Sequence, residues 1–217
     1  MRSLSVSADG RELRDLLPVP GAGRGLLGIA GAPGTGKSTL ALALAGLAPG
    51  AVVVPLDGFH LADVELTRRG LLDRKGAPET FDTWGYAALL ARLRARPGHE
   101  VFAPAFERDL EQPLAGAIAV PASARLVVTE GNYLLLDEPE WRAARAELDA
   151  VWHVAVDDAV RRSRLIARHV AFGKSPGAAE EWVGRVDEPN AALVKAAGTR
   201  ADLVLDLTDW RPVRDSP

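Results

Sequence analysis

Gly31-Ala32-Pro33-Gly34-Thr35-Gly36-Lys37-Ser38 is the stretch that decides the fold of this 217-residue chain. It fits G-x-x-x-x-G-K-[ST] at every fixed position. Glycines in such a loop let the backbone curl until its N–H groups converge on phosphate oxygens. The run before it, Leu26-Leu27-Gly28-Ile29-Ala30, reads as a buried parallel strand. From Lys37 onward the sequence reads as a helix, ended by Pro49-Gly50, whose first N–H groups and positive dipole end face the same anion. Strand, glycine loop and helix together predict a nucleotide site made of Gly31, Ala32, Pro33, Gly34, Thr35, Gly36, Lys37, Ser38 and Thr39. Lys37 then reaches the β- and γ-phosphates, the Ser38 hydroxyl ligates Mg²⁺, and Thr39 touches a phosphate.

Working outward, further apolar runs at 51–56, 125–129, 150–156 and 202–207 read as strands. Helical patterns fall near 8–17, 83–95, 138–148, 157–171 and 178–197. Strands alternating with helices predict an α/β fold with a five-stranded, mainly parallel sheet covered on both faces. The interval 57–124 is far longer than one crossover helix requires. It carries two short extended pieces, 101–103 and 117–120, and reads as an insertion beside the sheet, where an acceptor would be selected. Arg211 to Pro217 reads as a loose tail.

Composition narrows the class. With 47% hydrophobic and 25% charged residues, the chain has the make-up of a globular protein. The absence of cysteine removes disulfides, zinc–thiolate sites, iron–sulfur clusters and a cysteine nucleophile. A net charge of −3 lacks the basic surplus of a nucleic-acid binder. No apolar stretch is long enough for a membrane span, and the start lacks a signal-peptide pattern, so the expectation is a cytoplasmic protein. Only four of 26 basic residues are lysines: Lys37, Lys75, Lys174 and Lys195. Base composition of the gene is a sufficient reason for that scarcity, yet it makes the place of each lysine worth noting.

Two acidic residues close strands on the edge where the glycine loop lies. Glu130 follows Leu126-Val127-Val128-Thr129 and suits the metal-side carboxylate. Asp57 ends the second strand and suits a general base for an attacking hydroxyl, although Asp57-Gly58 also reads as an ordinary turn. A guanine-reading N-K-x-D segment is excluded, because neither asparagine, Asn132 or Asn190, precedes a lysine. The L-S-G-G-Q segment of transporter ATPases is missing as well. A small-molecule kinase using ATP and Mg²⁺ remains, with a regulatory ATPase lacking a small acceptor as the alternative.

Arg161, Arg164 and Arg168 share a helix face, and a glycine-bearing linker, 171–177, follows them. This arrangement suits a lid over the triphosphate, or else a solvated arginine face. Seven of the chain's twelve aromatic residues lie between Phe59 and Tyr133. Phe59, Phe81, Trp84, Tyr86, Phe102 and Phe106, with His60, either line an acceptor pocket or form the insertion's own core. Arg108, beside Phe106, suits an anionic or hydroxylated substrate.

Taken in order, these motifs resemble the P-loop kinases that include uridine kinase, pantothenate kinase and phosphoribulokinase. The resemblance runs from Leu26 to Leu207. It rests on Gly31–Ser38, 56–60, Pro78-Glu79-Thr80-Phe81-Asp82, Phe106-Glu107-Arg108, 129–133, the helix around Arg164 and Arg168, and 187–191. Glu130-Gly131-Asn132-Tyr133-Leu134-Leu135-Leu136 is similar to a bacterial branch described as nucleoside/nucleotide kinase-like or fructose-transport-associated. Asp57-Gly58-Phe59-His60 is nearer the pantothenate kinase form than the Asp-Ser-Phe-Tyr of uridine kinases. The resemblance implies a P-loop fold with Asp57 as base, Glu130 beside Mg²⁺, Arg108 at the acceptor, and Arg164 and Arg168 in a lid. The expected acceptor-side set is Asp57, His60, Phe81, Arg108, Glu130 and Tyr133, in one domain spanning 1–217 with a lid over 161–178. The expected partners are ATP and a small hydroxyl acceptor, not a nucleic acid or a membrane; a homodimer stays open.

Overall fold

A computed structural model describes residues 2–18 and 23–212. Its centre is a parallel sheet in which the most buried strand is the one leading into the glycine loop. That strand, β2 (Gly25–Gly31), is buried at all seven positions. It pairs with β6 (Leu126–Gly131) on one side and β7 (Ala150–Ala155) on the other. A strand with neighbours on both edges and helices on both faces has no solvated side, which is why its sequence is a continuous apolar run.

The full sheet order is β1-β8-β7-β2-β6-β3, with β1 spanning Arg2–Ser5, β3 Val52–Pro55 and β8 Leu203–Asp206. The sheet thus has six strands, one more than expected. The sixth, β1, pairs with β8 at the outer edge. Its sequence, Arg-Ser-Leu-Ser, is short and mostly exposed, so it carries no apolar run to read. The helix expected over 8–17 shrinks to α1 (Leu13–Leu16). Ahead of it the Glu12 carboxylate accepts from the Ser7 backbone N–H and hydroxyl, holding a turn where a helix would otherwise start. Pro20 and most of the glycine-rich link lie outside the described residues, as do residues 213–217 of the expected tail. Arg211, at the head of that tail, is tied down: its N–H donates to the Ala8 carbonyl.

Side chains of β2 alternate between two apolar layers. Leu27 and Ile29 pack with α2 (Lys37–Leu47), through Leu40 and Leu44, and with Trp152, Leu205 and Trp210. Leu26 and Ala30 face the other layer, built from α4 (Thr83–Arg94), α5 (Pro139–Ala146) and α8 (Glu188–Ala197). Between β3 and β6 the long interval holds a one-turn segment at Leu56–Phe59, α3 (Asp63–Arg69), α4 and an antiparallel hairpin. The hairpin strands are β4 (Val101–Glu107) and β5 (Gln112–Val120), a separate two-stranded sheet. The extended pieces read at 101–103 and 117–120 are its paired base. After β7 come α6 (Asp158–Ala171), α7 (Pro176–Trp182), a π-helical turn at Val183–Asp187, and α8. None of the described helices is long and apolar enough to cross a membrane.

A buried arginine ties the insertion to the sheet. Arg24, just before β2, donates to the carbonyls of Ala124, Leu93 and Pro121. Three carbonyls on two segments, the end of α4 and the turn at 121–124, are bridged by one planar fork, a task the flexible ammonium of lysine would do less well. Removing the fork takes the Arg24 bond from the Ala124 carbonyl and leaves Leu93 and Pro121 with only their backbone donors, Arg96 and Ala124. Arg24→Ala is expected to lower the unfolding free energy by about 2–4 kcal/mol in a urea titration. A loss under about 0.5 kcal/mol would show that the carbonyls find other donors.

Candidate active site

Glycine backbone geometry builds the loop. Gly34 and Gly36 have φ of 82° and 90°, a region costly for residues with a Cβ. A Cβ on Gly34 would also lie 2.7 Å from Leu165 Cγ and 2.8 Å from the Arg161 carbonyl oxygen, because α6 packs directly against the loop. Gly36 is the N-cap of α2, so the loop delivers the chain straight into the helix. Thr35 Oγ1 and Lys37 Nζ both donate to the Ala32 carbonyl, at 2.9 and 3.2 Å.

The carboxylates meet this loop at the carboxyl edge of the sheet. Glu130 ends β6 and pairs in register with Ile29 of β2 and Pro55 of β3. Ser38 donates its hydroxyl to Glu130 Oε1 at 2.7 Å. Asp57 follows β3 in the one-turn segment and faces the same space. Burial pushes the pKa of the Lys37 ammonium down, while Glu130 and Asp57 pull it back up. Burial raises that of Glu130, and Asp57 raises it further, against the opposing pull of Lys37, the Ser38 hydrogen bond and Arg108. In this corner Lys37 and Glu130 each offset part of the other's desolvation, whereas the charge of half-buried Asp57 favours the ammonium and opposes ionised Glu130.

Around that corner opens a cavity of about 460 Å³. Of the residues singled out in the sequence, it brings together Pro33, Lys37, Ser38, Asp57, His60, Phe81, Arg108, Glu130 and Arg168. His60 stacks between Phe81 and Phe106, with ring centroids 4.1 and 4.8 Å away. Its Nδ1 donates to the Asp57 carbonyl at 2.8 Å, which leaves Nε2 as an acceptor in the neutral ring.

Other expected residues are elsewhere. Tyr133 is fully buried and donates to the Gly76 carbonyl from behind Phe81, so it supports the cavity wall without lining it. Tyr133 lies two residues past the end of β6, beyond a bend at Asn132, and its ring is turned inward. Arg164 lies near Gly36, on a second, smaller cavity shared with Thr35, Thr39 and Trp210. Arg161 leaves the expected arginine face: it is fully buried and pairs with Asp158 and Glu188. The i, i+3, i+7 spacing put the three on one stripe, but α6 lies along the loop so that the stripe is divided between them. Tyr86 belongs to the core, its hydroxyl donating to Thr129, whereas Trp84 and Phe102 are exposed.

Glu111 went unread in the sequence, and Lys75, His169, Phe172, Lys174 and Asp187 were given no place in the expected acceptor set, yet all line the cavity. Lys75 donates to the Asp63 carboxylate and to the Glu111 carbonyl, steadying a hairpin turn in which Glu111 takes a φ of 53°. His169 Nε2 bonds Asp187 Oδ2 at 2.9 Å, joining α6 to the π-helical turn. One signal was available. Three of the chain's four lysines, Lys37, Lys75 and Lys174, line this single cavity.

No family model matches the chain. Individual relatives do. An ATP-dependent kinase-like protein from Aspergillus versicolor is 36% identical over 145 residues, 63% of this chain and 84% of the relative. A Schizosaccharomyces pombe protein proposed to be a uridine kinase is 32% identical over 170 residues, 76% and 72% of the two chains. The chain belongs to the P-loop kinases. The crystal structure of a proposed fructose transport system kinase from Silicibacter sp. TM1040 agrees, at a TM-score of 0.81 and 39% identity over 88% of this kinase and 98% of that chain.

Beside the loop, β7 of the kinase carries a second buried histidine. His153 packs against Gly198, and its Nδ1 is buried without a partner. Burial, assisted by the charge of Lys37, lowers its pKa below the ordinary 6.5. Burial lowers that of His60 in the same direction. The native state therefore favours the neutral rings, whereas the unfolded chain binds protons below pH 6.5. Their contribution is fully present above that pH and is lost as the pH falls through the depressed native values. His153→Leu should shrink the drop in Tm between about pH 7.5 and about pH 5. An unchanged drop in the variant would contradict the assignment.

Proposed function

We propose that this P-loop kinase transfers the γ-phosphoryl group of ATP, with Mg²⁺, to a hydroxyl of a small metabolite: a nucleoside, a sugar or a pantothenate-like alcohol. The observation that carries the reading is the shared cavity of Lys37, Ser38, Asp57 and Glu130 with an aromatic wall opposite them. A regulatory ATPase has no use for that enclosed wall of His60, Phe81 and Phe106 beside a strand-end carboxylate.

In this reading the loop N–H groups and Lys37 hold the β- and γ-phosphates, with Thr39 and Arg164 on the other side of the loop. Asp57 takes the proton of the acceptor hydroxyl as its oxygen bonds to the γ-phosphorus and the bridging bond to ADP breaks. Arg168, on the wall shared with Lys37, steadies charge on the transferred group. Ser38 and Glu130 offer adjacent hard oxygen ligands, a donor set that fits Mg²⁺, which takes one or two carboxylates and completes its shell from phosphates and water. Bound there, the ion would neutralise phosphate charge. Among the described residues no cluster of three or more His, Cys, Asp or Glu could hold a metal, so the cation and nucleotide would bind together. The helix α6 and the linker to α7 form the lid, and its closure keeps water from the phosphoryl group.

Asp57→Asn tests the base. General-base assistance contributes about 10²–10⁴-fold, so turnover should fall by that factor while ATP affinity stays within about twofold. Lys37→Ala should weaken nucleotide binding itself. Normal turnover by Asp57→Asn with any phosphorylated acceptor would remove Asp57 from the mechanism. ATP hydrolysis indifferent to nucleosides, sugars and pantothenate, yet raised by a protein partner, would favour the regulatory ATPase.

A further inference from the structure

The acceptor end of the cavity has an electrostatic character that narrows the substrate class. Arg108 enters from the β4–β5 hairpin, and Lys174 enters from the turn between α6 and α7. Each cation rests on an aromatic ring. The Arg108 guanidinium carbon is 5.8 Å from the centroid of Phe172, and Lys174 Nζ is 4.5 Å from that of Trp182. Phe172 and Lys174 belong to the same turn, so Arg108 of the hairpin and Lys174 of the helical side meet at one segment of the cavity. Neither has a carboxylate at salt-bridge distance among the described residues.

Of the other charges of the cavity, Arg168 is assigned above to the transferred phosphoryl group, and most of the rest are engaged. Lys37 and Glu130 serve the phosphate corner with Ser38. Asp187 is bonded to His169, and Lys75 is paired with Asp63. Glu111 is the one acid on the acceptor side beyond Asp57, and its backbone carbonyl is held by Lys75. Aromatic faces position a cation at little cost in side-chain freedom and leave its N–H donors available. Two such pre-placed donors, one from each wall, are the usual means of gripping an anionic oxygen group.

Building on the kinase reading, we propose that the acceptor is an anionic alcohol, bearing a carboxylate or a phosphate, and that Arg108 and Lys174 clamp that group while Asp57 faces its hydroxyl. Because Lys174 sits on the lid turn, binding of the anion also draws the lid toward the hairpin. The His60 ring, an acceptor at Nε2, takes a hydroxyl hydrogen of the same molecule.

Phosphorylated product is measured with ATP and matched pairs that differ only in the anion: D-glycerate against glycerol, pantothenate against pantothenol, ribose 5-phosphate against ribose, and uridine as a neutral nucleoside. The anionic member of at least one pair should be phosphorylated with kcat/KM at least about tenfold above its neutral partner. The first two pairs report a carboxylate and the third a phosphate. Arg108→Ala and Lys174→Ala should each raise KM for that acceptor about 10- to 100-fold. KM for ATP and Tm should stay near the parent values, and Arg108→Lys and Lys174→Arg should recover part of the loss. Phosphorylation of the neutral members at equal or higher efficiency would overturn the anionic class while leaving the kinase reading intact. An unchanged acceptor KM in Arg108→Ala and Lys174→Ala would overturn the clamp. ATP consumption that no acceptor alters would overturn the kinase reading itself, and this inference with it.

Discussion

A buried ammonium that shares one corner with two strand-end carboxylates organises this protein. Lys37 is driven into the interior by the geometry of a glycine loop, and Glu130 and Asp57 come from neighbouring strand ends to meet it. Lys37 and Glu130 are costly to bury alone and each offsets part of the other's cost, while half-buried Asp57 adds a second charge favouring the ammonium. That requirement constrains the sheet order. The strands bearing the loop, Glu130 and Asp57 must be adjacent, and β2-β6-β3 supplies that adjacency with the register Ile29↔Glu130↔Pro55. The same corner sets the Lys37 ammonium beside the Ser38 hydroxyl and the Glu130 carboxylate.

The walls opposite the corner are assembled from distant parts of the chain. The hairpin contributes Phe106 and Arg108, the one-turn segment after β3 contributes His60, and the region from α6 to α8 contributes Arg168, Lys174 and Asp187. Cation–aromatic contacts between Arg108 and Phe172, and between Lys174 and Trp182, connect the hairpin to the helices without consuming the cations' charge. Such contacts are weaker and less directional than paired salt bridges.

The kinase family and the central sheet were legible because their signals are local. The octet Gly31–Ser38 has a fixed spacing, and each buried strand is a continuous apolar run that reports its own environment. The edge strand β1 was not legible, because a short, exposed strand depends on its neighbour β8 and not on its own composition. Arg161 was misread for a related reason. Helical spacing tells which residues share a stripe, but not which side of the stripe will be buried under Gly34 and Leu165. Tyr133 lies next to cavity-lining Asn132 in sequence, yet past the bend that follows β6 it turns inward to Gly76, a path that no residue pattern records.

By itself, the sequence determined the corner at the glycine loop: which lysine, which hydroxyl, and which two carboxylates end strands on one edge. Those residues are tied to backbone features that spacing alone expresses, a glycine turn and the ends of apolar strands. Only the tertiary structure decided the wall opposite. It sorted the arginines of α6 into a buried strut, a residue beside Gly36 and a cavity residue, and it gave the scarce lysines a meaning by collecting Lys37, Lys75 and Lys174 around one space. That sorting follows from how helices and the hairpin pack on the sheet, a set of long-range contacts that no local pattern of residues records.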